Sequence, residues 1–185
     1  MSLKNLFTIG SANIIGTGLS GLFWFILASL ISAEDYGNLH YFVGIASIAY
    51  GISCLGTINT FTVYTAKKVH LHSTLILLSF IGGMICSIVL YIIFNRIDVL
   101  FLTFGYIISS MAIGIQFGQK SFERYAKLLL LQKGFTLCLG LGFYFLFGIE
   151  GVISALALSY TCYLFIIIKE YKKTKFSFTL FKEKF

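Results

Sequence analysis

Residues 7–66 read FTIGSANIIGTGLSGLFWFILASLIS, then AEDYG, then NLHYFVGIASIAYGISCLGTINTFTVYTA. The first run, Phe7 to Ile31, has no charged residue in 25 positions. As a helix it would extend roughly 37 Å, against about 30 Å of hydrocarbon in a bilayer. The second run, Asn38 to Ala66, is similar, and Lys67 and Lys68 follow it. Two long apolar runs joined by a short acidic turn predict a pair of membrane-spanning helices.

The same pattern of helix, short turn, helix and basic stretch recurs twice along the chain. Only 11% of the residues are charged, and the mean hydropathy is +0.91, whereas soluble domains carry about 25% charged residues. We therefore predict an all-α polytopic membrane protein, a bundle of six transmembrane helices that forms one lobe over residues 1–168. Residues 169–185 are predicted to form a basic cytoplasmic tail or a linker to further helices. The predicted helices cover residues 7–31, 38–64, 75–94, 99–117, 128–147 and 151–168.

The positions of the basic residues predict the orientation of the chain. With the N-terminus in the cytoplasm, 13 of the 14 lysines and arginines fall on the cytoplasmic side, and Arg96 alone falls outside. This distribution follows the positive-inside rule. It predicts a multi-pass protein of the cell (inner) membrane with both termini cytoplasmic. The basic excess is thus explained by membrane lipids as partners, and we expect no nucleic-acid partner.

Small and polar residues recur at helical spacing on several predicted helices. The stripes comprise Gly37, His40, Gly44, Ser47, Gly51 and Cys54 on the second helix, Gly10, Asn13, Thr17, Ser20 or Gly21 and Trp24 on the first, and Gly134, Cys138 and Gly142 on the fifth. Such stripes allow helices to pack closely in a membrane. The alternative is that the polar members, among them Asn13, Thr17 and His40, line a water-filled cavity.

The sequence has none of the usual catalytic or metal-binding patterns. The two aspartates, Asp35 and Asp98, lie in predicted turns, and no helix carries paired carboxylates, an HExxH motif or a glycine-rich phosphate loop. His70 and His72 lie in a predicted loop without a third ligand. We therefore predict no enzyme activity, no catalytic residue, no metal site and no cofactor.

One cation is predicted to lie inside the apolar zone. Lys120, Glu123, Arg124 and Lys127 share a face at the amphipathic start of the fifth helix, but Lys133 follows four leucines and would lie about 8 Å deep. Lys133 either snorkels to the cytoplasmic surface or faces an internal cavity, where it would meet an anionic headgroup. Gln116 and Gln119 could share that site. The candidate substrate-binding residues are Lys133, Arg124, Gln116, Asn13, Thr17 and His40.

The residues also carry a resemblance to a family. The features are the Gly/Ser-rich first helix, the turn SAEDYG at Ser32 to Gly37, the Leu55-Gly56 step and the turn GIEG at Gly148 to Gly151. In these features the chain resembles the N-terminal half of polysaccharide (O-antigen type) flippases, within the multidrug/oligosaccharidyl-lipid/polysaccharide exporter superfamily.

The resemblance implies a function and a missing part. Such flippases have 12 to 14 helices in two lobes and move a polyprenyl-diphosphate-linked oligosaccharide across the cytoplasmic membrane by alternating access. This sequence has six predicted helices and no mid-helix arginine for the diphosphate, so Lys133 and Arg124 are the substitutes we consider. The resemblance therefore implies a partial chain, or a second lobe supplied by a homodimer. The alternatives are a multidrug exporter of the same superfamily and a non-transporting membrane scaffold of a glycan-assembly complex.

Overall fold

The structure, a computed structural model, describes residues 3–54, 56–67 and 72–173. Over these ranges the chain is all-α, with eight α-helices and one 3₁₀ segment, which confirms the predicted fold class. The twelve residues 174–185, where most of the predicted tail falls, lie outside the described residues. The elements are α1 (Leu3–Leu30), α2 (Ala33–Cys54), α3 (Thr57–Ala66), α4 (His72–Phe94), α5 (Ile97–Gly118), α6 (Phe122–Phe147), α7 (Ile149–Ser159), the 3₁₀ segment Tyr160–Tyr163 and α8 (Leu164–Lys173).

Five of the described segments are long and apolar enough to cross a membrane, and α2 with α3 makes a sixth if the two count as one bent span. The chain is therefore a membrane protein, with five or six candidate spans in its described residues. The last of the five runs continuously from α7 through the 3₁₀ segment into α8. It extends beyond the predicted helix at 151–168 because the basic residues after Ile168 continue the helix rather than ending it.

The second predicted helix, 38–64, is divided in the structure. α2 and α3 meet at an angle of 44°, and Gly56 between them has a φ of 79°. This left-handed conformation interrupts the helix, and glycine adopts it without the steric cost of a β-carbon. The prediction of one uninterrupted helix is wrong because hydropathy does not register a single left-handed residue.

The acidic turn after α1 is shorter than predicted. Residues 32–37 were expected to form a turn, but α2 already begins at Ala33. Ser32 caps this helix: its hydroxyl accepts the Asp35 backbone N–H at 3.1 Å and donates to the Asp35 carboxylate at 2.7 Å. Carboxylates in a first turn also complement the helix dipole, so Glu34 and Asp35 start α2 instead of preceding it.

Helix α5 is the centre of the bundle. It packs against α2, α3, α4, α6, α7 and α8, and most of its residues are buried, including Leu102, Ile107, Met111 and Ile115. The peripheral helices expose far more apolar surface, for example Phe25 of α1 and Ile92 of α4. Such surface suits contact with lipid rather than with water.

The helices pack side by side along an arc, and the arc is open between α1 and α2. α1 packs on α6, α6 on α7, α7 on α5, and α5 on α2. Although α1 and α2 are consecutive, they contact each other little, and they meet at the rings of Trp24, Tyr36 and His40 near their shared turn. We call the space between α1 and α2 the α1–α2 groove.

Charge divides the bundle into two ends. Asp35, Arg96 and Glu150 lie together at one end, which we call the acidic end. Residues from the start of α1 and of α6 lie together at the other, the basic end, with Asn5 close to Lys120 and Lys127. The last described helix, α8, reaches this basic end too, where its Lys169 lies near Arg124. The described chain therefore starts and finishes at the same end.

Candidate functional site

The α1–α2 groove brings two of the sequence stripes face to face. Trp24 belongs to the α1 stripe and His40 to the α2 stripe, and their ring centroids are 4.4 Å apart. Tyr36 adds a third ring, 4.5 Å from His40. Residues three and four apart share a helix face, so the stripe positions nearer the basic end continue along the same two sides. The three rings close the groove toward the acidic end.

The glycines of these stripes do not pack against another helix of this chain. A β-carbon built on Gly10 or Gly21 of α1, or on Gly37, Gly44 or Gly51 of α2, would meet no described atom within 4 Å. Gly134 and Gly142 of the α6 stripe are equally open. For these seven glycines the packing interpretation is wrong within the described chain, because α6 and α5 occupy other faces of α1 and α2.

Of the predicted polar residues, Asn13, Thr17 and His40 all lie on the stripes. All three are exposed in the described chain. The Asn13 side-chain oxygen accepts a hydrogen bond of 3.0 Å from the Tyr125 hydroxyl of α6. Farther along the α2 stripe, Ser47 lies within hydrogen-bonding reach of Tyr106 on the central helix. Polar groups are thus spread along the groove from α6 to α5.

Lys133 lies at the contact between α1 and α6. Its Cγ is 3.4 Å from the position of a β-carbon on Gly16, so the missing side chain of Gly16 makes room for the lysine stem. Lys133 is 11 residues into α6, about 16 Å along the helix, and is only partly exposed. No carboxylate of the described residues forms an ion pair with it. It is therefore an uncompensated cation inside a membrane-spanning helix.

Arg124 and Gln116 do not join Lys133. Nine residues separate Arg124 from Lys133 on α6, and at 100° per residue they point to opposite sides of the helix. Arg124 and Gln116 instead line a separate cavity of about 250 Å³ between α5, α6 and α8, together with Gln119, Lys127 and Lys169. We call this cavity the basic pocket. Among the six predicted residues, Asn13, Thr17 and His40 lie on the stripes of the groove, Lys133 lies at the contact between α6 and α1, and Arg124 and Gln116 lie in the basic pocket.

One buried polar cluster was not predicted from the sequence. Gln132 donates hydrogen bonds to Thr136 at 3.0 Å and to Ser159 at 3.2 Å, and the Thr136 and Ser159 hydroxyls are 3.0 Å apart. All three side chains are buried, and the cluster joins α6 to the end of α7. The sequence did carry a signal, because a glutamine and a threonine four residues apart in an apolar helix share one face.

The described residues hold no group of three or more His, Cys, Asp or Glu side chains that could bind a metal ion. The site offers aromatic rings, amides, hydroxyls and one partly exposed lysine for binding. No protein-family model matches the sequence, and comparisons with curated proteins and with solved structures give no match either.

Proposed function

We propose that this chain is one lobe of a flippase that moves a polyprenyl-diphosphate-linked oligosaccharide across the cytoplasmic membrane. In this proposal the basic end lies in the cytoplasm, and alternating access exposes the α1–α2 groove first to that side and then to the other. The family resemblance of the sequence suggests the substrate class. The observation that carries the proposal is Lys133, an uncompensated cation at the contact between α6 and α1, the helix that carries one stripe of the groove.

The chemistry of the groove suits an amphiphilic anion. A lysine that is only partly exposed to water and has no carboxylate partner attracts a diphosphate more strongly than a surface lysine does, because screening by solvent is weaker. The rings of Trp24 and His40 offer flat apolar faces, and Asn13 and Thr17 offer hydrogen-bonding groups for hydroxyl-rich sugars. The open glycines leave room along the groove for a bulky headgroup.

The other wall of the transport path would come from a second lobe. The described chain starts and finishes at the basic end, so a following lobe or a second copy would enter the membrane in the same orientation. Parallel repeats of this kind build several transporter families. The open faces of α1 and α2 are the surfaces on which we place that second lobe.

The test is transport by the protein in proteoliposomes. A fluorescent short-chain polyprenyl-diphosphate oligosaccharide in one leaflet reports translocation when a membrane-impermeant quencher is added. We expect Lys133→Ala to lower the translocation rate at least about tenfold, since it removes a charge contact in a poorly solvated site. Lys133→Arg should retain most of the activity.

A matched control separates this role from general surface charge. Lys120→Ala removes an exposed cation at the basic end, outside the groove, and should leave the rate within about twofold. Unchanged transport by Lys133→Ala would contradict the role of the lysine. No translocation by the folded wild-type protein, alone or with a second lobe, would contradict the flippase and favour a scaffold.

A further inference from the structure

The basic pocket is amphipathic. Its apolar wall includes Leu128 and Phe165, and Phe165 is 74% exposed, so the pocket opens along the side of the bundle. Its other wall carries the cations Arg124, Lys127 and Lys169 at the basic end. An apolar side and a cationic end match the acyl chains and the headgroup of a lipid.

In the basic pocket the cationic side chains outnumber the carboxylates. Lys127 pairs with Glu123 at 2.9 Å, and Glu170, which also lines the pocket, already has an interaction partner. No ion pair is formed by Arg124 or Lys169 within the described residues. Two cations therefore remain for an external anion.

One side chain that lines the pocket also has a buried atom without a partner. Gln116 is 1% exposed, and its amide nitrogen donates to the Ala112 carbonyl at 3.2 Å. Its amide oxygen, Oε1, is buried without any hydrogen-bond partner. A buried acceptor without a donor destabilises the protein, so a ligand that brings a donor is favoured here.

We propose that the basic pocket binds an anionic phospholipid whose headgroup carries a hydroxyl, such as phosphatidylglycerol. Arg124 and Lys169 hold the phosphate, and the Gln116 amide oxygen accepts a hydrogen bond from the headgroup hydroxyl. The acyl chains follow Leu128 and Phe165 along the bundle. Because Arg124 and Lys133 lie on opposite sides of α6, this site is separate from the groove and does not depend on the proposed transport function.

The test is native mass spectrometry of the full chain released from nanodiscs of equal parts phosphatidylglycerol and phosphatidylcholine. We expect the wild-type protein to retain phosphatidylglycerol in preference to phosphatidylcholine. The double variant Arg124→Gln/Lys169→Gln should lower that retention about tenfold, because each basic contact near an anionic lipid contributes severalfold. Gln116→Met, which keeps the volume without the amide, should lower it about threefold.

The matched control removes two cations from the same end but outside the pocket. Lys4→Gln/Lys120→Gln should change retention by less than about twofold. An equal loss in this control, or equal retention of both lipids by the wild-type protein, would overturn the site. Inorganic phosphate is the second probe: if it binds with the same dependence on Arg124 and Lys169 while phosphatidylglycerol does not, the ligand is free phosphate and the lipid proposal is wrong. Size-exclusion chromatography of each variant, compared with the wild-type protein, checks that it is folded.

Discussion

The ring of Phe23 on α1 lies directly against Gly140 on α6, in the place that a β-carbon on Gly140 would occupy. Phe23 is fully buried, so this contact fixes how closely the two helices approach. Because α1 packs chiefly on α6, the same contact holds one side of the α1–α2 groove in position.

Gly140→Ala is expected to destabilise the protein. The added methyl group overpacks the contact with Phe23, which costs about 1–3 kcal/mol and exceeds the gain of about 1 kcal/mol in helix propensity. SDS-induced unfolding in mixed micelles measures the change. Gly142→Ala, two residues away in open space, should leave stability unchanged or slightly raised, and an equal loss there would show that the Phe23 contact is not the cause.

The buried cluster on α6 and α7 should show energetic coupling. Thr136→Val and Ser159→Ala each remove one hydroxyl of the pair that is 3.0 Å apart. In a double-mutant cycle we expect a coupling free energy of about 0.5–1.5 kcal/mol. The exposed Thr161, whose hydroxyl bonds within its own turn, provides the control variant Thr161→Val. Strict additivity of Thr136→Val and Ser159→Ala would contradict a coupled network.

The ion pair at the acidic end should contribute measurably to stability. Arg96 donates two hydrogen bonds to Asp98, at 3.2 and 2.6 Å, and its guanidinium lies 4.6 Å from the ring centroid of Phe42. The hydrogen bond to Asp98 raises the pKa of Arg96. A raised pKa stabilises the fold at every pH below the unfolded pKa, so Arg96 itself adds no pH dependence at or below neutral pH.

Arg96→Gln should therefore lower the free energy of unfolding by about 1–2 kcal/mol. The free energy of unfolding of Arg96→Lys should lie between those of the wild-type protein and Arg96→Gln, because lysine keeps the charge but not the paired geometry. The comparison is Lys127→Gln, which breaks a pair whose side chains are 76% and 79% exposed and should leave the free energy of unfolding almost unchanged. Equal effects at the two sites would contradict the distinction between them.

The bend between α2 and α3 should depend on glycine. Gly56 has a φ of 79° and open space around its α-carbon, so Gly56→Ala carries backbone strain of about 1 kcal/mol without a steric clash. Gly56→Asn should cost less, since asparagine tolerates the left-handed region. Denaturant unfolding of both variants, with Gly51→Ala in open space on α2 as the control, measures the difference. An equal loss of stability in Gly56→Ala and Gly56→Asn would show that the left-handed conformation at this position is not the cause.

Hydropathy and charge along the sequence were enough to determine the class of fold. A span such as Phe7 to Ile31 must form a helix in a bilayer because every backbone N–H and C=O needs a partner there. This requirement is local, so it can be determined from one stretch of sequence at a time. The clustering of Glu34, Asp35, Asp98 and Glu150 in the predicted turns likewise indicated where the acidic end would be.

The distribution of the candidate residues over two sites depended on tertiary packing. Helical periodicity alone already shows Arg124 and Lys133 pointing apart, but which helix covers each side of α6 follows from contacts between distant segments. α1 packs beside Lys133 at Gly16, whereas Arg124 lines a cavity with Gln116 of α5 and residues of α8. Sequence pattern specifies the face of a helix; the shapes of side chains that are far apart in the chain decide what that face meets.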